Sequence, residues 1–369
     1  MSFAYSVAAD EPLPSPRSER LFVSGHSLTD QPLPYDLAAL ARSQGLTLQW
    51  NRQYKPGSSI RERVRGSAPG DEEGWRGFHE GANREGMNMD VLAELHEPRT
   101  VSGGRYGLLL ITESHDLLGT LQWNDTVRYL RHYHERFIGA NPVGRTYFYE
   151  PWLGIDNKDD PRRWIAYERA ASPVWQCVAT RINLSLAAEG RADRIASLPA
   201  GLAMVGLVER ATQGPGVPGL SGASVRETMN RLFTDDVHLT RLGTYYAALV
   251  SYASIFQRSP VGAWVPAEID AALARALQVL AWQQVSDYRA SHRALSLAEC
   301  RTLLQDSFIS TYWRYVRDTH WSPDVGSVLA HLRAWRHGLA TRWRFWHDDQ
   351  GNPFHFDAAT DRRHWLPFH

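Results

Sequence analysis

Short apolar runs alternate with helical patterns along the chain as far as about residue 257. Runs typical of buried strands lie at 21–23, 46–50, 107–112, 145–149 and 195–205, the last broken by Pro199. Apolar residues at helical spacing lie near 35–44 and near 124–137. Strands that alternate with helices predict a parallel sheet covered by helices on both faces, which is an α/β fold.

Three stretches depart from this alternation. Prolines are frequent before residue 20, so regular structure is not expected there. Glycines and charges dominate 58–106, which predicts a long insertion over one sheet edge. Only helical patterns follow residue 258, including a helix near 323–346 and a capping box at Ser296–Glu299. The predicted organisation is an irregular segment 1–19, an α/β domain 20–257 with the insertion 58–106, and a helical extension 258–369.

The helical extension is rich in tryptophan. Aromatic side chains bury large areas, so these tryptophans are predicted to anchor the extension to the main domain, with a sugar-stacking surface as the alternative. Six of the fourteen tryptophans lie in this part of the chain: Trp313, Trp321, Trp335, Trp343, Trp346 and Trp365.

Composition and charge narrow the function classes. The 40 basic and 40 acidic residues balance, so no overall positive field favours a nucleic-acid partner. No apolar run approaches the length of a membrane span. The start has no basic region typical of a signal peptide, so a cytoplasmic location is expected; Ala8 and Ala9 leave an exported protein with a trimmed leader as the alternative. Cys177 and Cys300 are predicted to be two inert buried thiols.

The segment Phe22–Asp30 carries the strongest candidate chemistry. A predicted strand ends at Gly25, and Ser27 follows at the tip of the turn, ahead of a predicted helix. Open α/β sheets bind their ligands at the carboxyl ends of the strands, where this serine would be exposed. A serine in that place needs a base before it can act as a nucleophile.

The segment Thr234–Gly243 can supply that base. Asp235 precedes His238 by three residues, ahead of a predicted helix. The carboxylate can then reach the Nδ1 side of the imidazole and leave Nε2 free to accept a serine proton.

Together, in this order and separation, the two segments resemble the first and last blocks of the SGNH hydrolase superfamily, the GDSL-type esterases. The resemblance covers about residues 20–257 and implies a flavodoxin-like three-layer sandwich. It also implies Ser27 as nucleophile, with Asp235 and His238 as its triad partners. Pro56–Ser59 resembles the second block, so the backbone N–H groups of Ser27 and Gly57 are expected to form the oxyanion hole.

Two blocks depart from the family pattern. His26 replaces an acidic residue of the first block, and is expected to be a structural hydrogen-bond partner or, alternatively, a substrate contact. The third block, normally Gly-x-Asn-Asp, corresponds to Glu113–Asp116. His115 then takes the place of the asparagine that donates to the oxyanion, and is predicted to be the third donor. Glu113 or Asp116 is expected to orient His115 or a substrate hydroxyl.

Other signals are weaker. His132 and His134 are two residues apart and would face different sides of a helix, so no metal site is predicted. Gly25 stands alone, without the glycine-rich loop of a nucleotide site. A basic cluster consists of Arg61, Arg63 and Arg65. It is predicted to be a solvated face or, alternatively, to bind an acidic group of a substrate.

These observations predict a serine esterase that cleaves a short, acetyl-like acyl group from a carbohydrate or other small ester, without metal or cofactor. The abundance of tryptophan and tyrosine favours a sugar. One alternative is an acyltransferase on the same framework. Another is a non-catalytic carbohydrate-binding protein that keeps the fold.

Overall fold

The sheet is built from five parallel strands within the described part of the chain. A computed structural model describes residues 18–66, 74–98, 101, 104–347 and 352–367. The strands lie side by side in the order β2-β1-β3-β4-β5. Their bounds are β1 Ser18–Gly25, β2 Thr47–Tyr54, β3 Leu108–Thr112, β4 Arg145–Tyr149 and β5 Ile195–Leu198.

The apolar runs locate these strands well, because central parallel strands are buried on both faces. Every residue of β3 is buried, and β4 has the predicted bounds. The fifth predicted strand, 195–205, was too long. The strand ends at Leu198, and the rest of the apolar run forms a helix that begins directly after Pro199.

Helices cover both faces, which makes the three-layer α/β sandwich that the sequence predicts. The chain moves one way from β1 to β2 and the other way from β2 to β5, so right-handed crossovers place the connecting helices on opposite faces. The helices up to residue 256 are α1 Leu33–Ser43, α2 Ile60–Arg65, α3 Val91–His96, α4 Leu117–Trp123, α5 Thr126–Ala140, α6 Arg162–Ala188, α7 Ala200–Thr212, α8 Val225–Leu232 and α9 Arg241–Phe256.

The described parts of the predicted insertion contain short helices and lie along the edge strand β2. The backbone N–H of Tyr54 donates to the carbonyl of Ala82 at 3.2 Å, outside the parallel ladder. The helices α2 and α3 pack against α5. The insertion therefore shields one sheet edge, which would otherwise expose unpaired backbone groups.

The C-terminal helices are packed onto the sandwich. They are α10 Ala271–Ser291, α11 Leu297–Thr302, a π-helical turn Leu303–Phe308, α12 Ile309–Val316, a second π-helical turn Arg317–Trp321, α13 Ser322–Val325 and α14 Ser327–His347. Helix α10 contacts α9 and α7, helices α11 and α12 contact α6, and α14 contacts α12. The predicted capping box is confirmed at the start of α11.

One prediction about this region was wrong, and another holds only in part. Cys177 in α6 and Cys300 in α11 form a disulfide rather than two inert thiols. The predicted tryptophan anchors hold only in part. Trp365 is buried and Trp313 packs against the core, whereas three others are 65–77% exposed: Trp335, Trp343 and Trp346. None of the described helices combines the length and apolarity that a membrane-spanning segment requires.

A buried acid at the end of β4 makes the stability of the fold depend on pH. Ser172 Oγ donates to Glu150 at 2.8 Å, and burial raises the pKa of Glu150 to about 8 from an ordinary 4.5. The folded chain therefore keeps a proton that the unfolded chain releases between those two pH values. Since the folded state binds more protons, the free energy of unfolding falls as pH rises through this window.

We expect Glu150→Gln to remove the part of this dependence that Glu150 causes; Glu168, whose pKa burial also raises to about 8, keeps its own part. At pH 8 the variant should be more stable than the native chain by roughly 4 kcal/mol, measured by urea unfolding. The exposed Glu97→Gln serves as the matched control. A pH profile of stability that Glu150→Gln leaves unchanged would contradict this assignment.

Candidate active site

The turn after β1 presents Ser27. The strand ends at Gly25, where any β-carbon would collide with the side chain of Thr29, so glycine is required by the close approach. A single 3₁₀ turn, Ser27–Thr29, follows, and its first residue is Ser27. Ser27 thus lies partly exposed at the carboxyl edge of the sheet, ahead of α1.

The loop between α8 and α9 holds His238. Phe233 and Leu239 form an isolated antiparallel bridge, and the N–H of Thr234 donates to the carbonyl of His238 at 2.8 Å. The segment after β4 supports the tip of this loop, because the indole N–H of Trp152 donates to the carbonyl of Val237 at 3.0 Å. The loop is therefore fixed from within and from the neighbouring connection.

The structure brings the three predicted residues together. Ser27 Oγ lies 2.9 Å from His238 Nε2, and His238 Nδ1 lies 2.7 Å from Asp235 Oδ2. A carboxylate only accepts hydrogen bonds, so Nδ1 carries the proton and Nε2 offers its lone pair to the serine hydroxyl. Residues 211 positions apart thus form a nucleophile, a base and an orienting carboxylate.

The Asp235 carboxylate is held in its charged form. Partial desolvation acts to raise its pKa, but hydrogen bonds from the backbone and ring of His238 and from the N–H of Val237 outweigh it and lower the pKa to about 2. The two backbone donors lie 2.7 and 2.8 Å from Oδ1. Asp235 therefore stays ionised over the whole neutral range, as an orienting carboxylate requires.

His26 is a structural residue, which was the first of the two expectations for it. Its ring is fully buried, and Nε2–H donates to the carbonyl of Glu113 at 2.8 Å. Burial, together with the proximity of His115 and Arg63, lowers the pKa of His26 to about 3. The neutral ring ties the Ser27 turn to the end of β3, so a substrate contact is not its role.

Glu113 does not orient His115 or face a substrate, contrary to expectation. Its buried carboxylate accepts hydrogen bonds from the backbone N–H groups of Ile60 and Ser114 at 3.0 and 2.8 Å and from the Thr126 hydroxyl at 2.8 Å. Burial raises the pKa of Glu113, against the charge of Arg63 and these donors. Glu113 thus joins the starts of α2 and α5 to the end of β3.

Arg63 was predicted to lie on a solvated face, and this was wrong. Its side chain is fully buried below the site, where it donates to Ser24 Oγ at 2.9 Å, to the Ser58 carbonyl at 2.8 Å and to the carbonyl of Thr112. These bonds connect the ends of β1 and β3 to the loop after β2. Nothing in the sequence distinguishes Arg63 from its exposed neighbours, because burial on a short helix depends on what packs against it.

His115 differs from the predicted oxyanion donor. Its Nδ1 lies 3.1 Å from the carbonyl of Trp152, and a carbonyl only accepts, so Nδ1 carries the proton. Burial lowers the pKa of His115, opposed by this bond and assisted by the charge of His238. The ring is therefore neutral, and its Nε2 offers a lone pair rather than the N–H that an oxyanion needs.

Two further predicted residues have definite places. Asp116 caps α4, accepting from the N–H of Gly119 at 3.1 Å and from the hydroxyl of Tyr312, so it does not orient His115 either. Gly57 lies in the exposed loop after β2 at a φ of 62°. This loop reaches the Ser27 turn, since the N–H of Lys55 donates to the carbonyl of Gly25 at 3.2 Å. The role of the Gly57 N–H stays a prediction.

The neutral His115 ring leads to a distinctive expectation for His115→Ala. Loss of an oxyanion donor lowers kcat by about 10²–10³-fold, whereas loss of a hydrogen-bond acceptor for substrate raises KM. We expect kcat to fall less than about tenfold and KM to carry most of the effect. His96→Ala, an exposed histidine on α3, is the control. A kcat loss of about a hundredfold at unchanged KM would show that the ring donates after all.

The fold and these residues define an α/β sandwich with a serine–histidine–aspartate arrangement at the carboxyl edge of its sheet. No family model and no curated protein matches the chain. A solved structure of a DUF4886 family protein from Bacteroides uniformis is similar at 14% sequence identity, with a TM-score of 0.49, over 76% of this chain and 99% of that chain.

Proposed function

We propose that this chain is a serine esterase of the SGNH, or GDSL, type. The observation that carries the proposal is the 2.9 Å separation of Ser27 Oγ and His238 Nε2, with Asp235 on the other ring nitrogen. A serine hydroxyl, a base and an orienting carboxylate in hydrogen-bonding sequence are what acyl transfer through a covalent intermediate requires.

In this reaction Ser27 Oγ attacks the ester carbonyl carbon while its proton passes to His238 Nε2. The tetrahedral intermediate collapses, the bond to the alcohol oxygen breaks, and His238 gives its proton to that oxygen. A water, deprotonated by His238, then attacks the acyl-enzyme and releases the acid and the free Ser27 hydroxyl. Asp235 holds the ring throughout and stabilises its protonated form. The mechanism calls on no metal or cofactor.

The oxyanion is stabilised in this proposal by the backbone N–H groups of Ser27 and Gly57. The loop that carries Gly57 is bonded to the Ser27 turn through Lys55 and Gly25, which fixes the relation between the two segments. His115, with its Nε2 lone pair, instead accepts a hydrogen bond from a hydroxyl of the substrate. An acceptor of that kind suits a polyhydroxylated alcohol, and therefore favours a carbohydrate ester.

Solvent access favours hydrolysis over transfer to a second alcohol. The side chains of His238 and Asp235 are 45% and 58% exposed, so water reaches the base directly. An acyltransferase has to keep water away from its acyl-enzyme, whereas His238 is accessible to solvent. A non-catalytic binding protein does not need Ser27, His238 and Asp235 to be aligned. Their alignment therefore disfavours that alternative.

A panel of chromogenic esters tests the proposal. We expect turnover by the native chain, faster on a two-carbon than on an eight-carbon acyl group, and free acid as the product even when an acceptor sugar is added. Greater activity on the eight-carbon ester would overturn the short-acyl preference, and acylated sugar would identify a transferase. Sugar binding that survives Ser27→Ala, with no ester turnover by the native chain, would identify a binding protein.

A further inference from the structure

Helix α14 is fixed to the protein by one face. Ala330, Thr341 and Phe345 are buried, and α14 packs on α12. Arg342 donates from Nε to the carbonyl of Gln305 at 3.1 Å, which adds a polar attachment on the same body. The packing described for this helix therefore uses one stripe, and the opposite stripe is largely exposed.

The opposite stripe is apolar. Its members recur at intervals of three or four residues, which places them on one side of a helix. They are 45–77% exposed, and comprise Val328, Leu332, Trp335, Leu339, Trp343 and Trp346. Trp123, at the end of α4, is 63% exposed and lies beside this helix, with the guanidinium of Arg344 stacked 4.6 Å from its ring centre. An exposed apolar stripe of this extent is unusual for a surface that meets only water.

Cationic residues flank the stripe on one side. Helix α14 contains four arginines and three histidines, and its sequence has no acidic residue. At helical spacing, Arg333, Arg336 and Arg344 fall along one border of the apolar stripe, whereas Arg342 is half-buried and is held by Gln305 and Ser310. The combination is a helix with an apolar centre, tryptophans among its apolar residues and a positive border.

We propose that α14 docks the protein onto the surface of a lipid bilayer that carries anionic headgroups, with the helix lying in the plane of the interface. Apolar side chains enter the boundary of the acyl chains, tryptophan prefers the headgroup level, and arginine pairs with acidic headgroups. Since the described helices include none that could span a membrane, the contact is peripheral.

Charge decides between a lipid surface and a second copy of the chain. A symmetric dimer in which the two α14 helices run antiparallel would bring their positive borders against each other, because the interface of such a dimer is the same patch on both copies. Like charges across an interface oppose association. An anionic surface instead complements the positive border, so the lipid is the occupant that fits.

Vesicle co-sedimentation of the full chain tests the proposal. The probes are vesicles of phosphatidylcholine alone and of phosphatidylcholine mixed with phosphatidylglycerol. We expect sedimentation with the mixed vesicles, weakened by added salt, and little with phosphatidylcholine alone. Two variants should each lower the partition coefficient by about tenfold or more: Trp335→Ser with Leu339→Ser, and Arg333→Glu with Arg336→Glu.

Matched controls are available on other surfaces. Val143→Ser, at a position 91% exposed, and Arg275→Glu should leave binding unchanged. Ser27→Ala should also bind normally, which separates this proposal from the proposed esterase activity. Absence of binding to either vesicle, or equal binding by the variants, would overturn the proposal. So would a dimer, measured by light scattering without vesicles, that Trp335→Ser with Leu339→Ser converts to a monomer.

Discussion

Replacing Ser27 with alanine is expected to lower kcat for ester hydrolysis by about 10⁴-fold or more, because the covalent pathway loses its nucleophile. Ser27 is partly exposed in a short turn, and its hydroxyl bonds to His238 rather than to the core. The variant should therefore keep the native far-ultraviolet circular dichroism and urea midpoint. The measurement is initial-rate kinetics on a chromogenic acetyl ester.

A serine outside the site gives the matched control. Ser291, at the end of α10, donates to the carbonyl of Asp287, and Ser291→Ala should keep full activity. Activity of Ser27→Ala within tenfold of the native chain would mean that another group performs the attack. The triad geometry would then have no catalytic role.

Removal of the disulfide is expected to have the largest effect on stability. Cys177 and Cys300 close a loop with a sequence separation of 123, and chain entropy alone assigns such a link about 3–5 kcal/mol. The double variant Cys177→Ala with Cys300→Ala should therefore unfold at clearly lower urea concentration. The bond joins α6 to α11, so the backbone amides of the C-terminal helices should be the first to lose protection against hydrogen exchange.

Reduction of the native chain provides the second arm of this experiment. A thiol reductant should lower the midpoint of the native chain towards that of the double variant and leave the variant itself unchanged. Identical midpoints with and without reductant would contradict a structural disulfide. Disulfides persist in oxidising compartments, so a confirmed bond would favour the exported alternative over a cytoplasmic location.

The sheet could be predicted from sequence because its strands are buried on both faces. β3 and β4 are short, largely apolar runs, and this pattern is typical of the central strands of a parallel sheet. Helix α6, Arg162–Ala188, was not predicted. It is buried around much of its circumference and contains Pro173, so no clear amphipathic stripe appears. Tertiary packing, rather than local pattern, fixes this helix.

The three triad residues could be proposed because the segments that carry them, taken together, resemble the first and last blocks of the SGNH hydrolases. Asp235 and His238 are close in sequence, and Ser27 follows a strand at the edge where ligands bind. The contacts that support the site join residues far apart in the sequence, so no local sequence pattern predicts them. The carbonyl of Trp152 sets the tautomer of His115, 37 residues away, and this one bond changes the expected donor into an acceptor. The pairing of two distant cysteines is equally invisible before the chain folds.

Activation of Ser27 by His238 is the basis of the proposed function, and labelling with a fluorophosphonate is its sharpest test. The probe phosphonylates an activated serine, and peptide mapping by mass spectrometry identifies the modified residue. We expect one adduct, on Ser27, in the native chain, and none in the His238→Ala variant. An adduct on a different residue, or equal labelling of Ser27 without His238, would contradict the proposed nucleophile and its base.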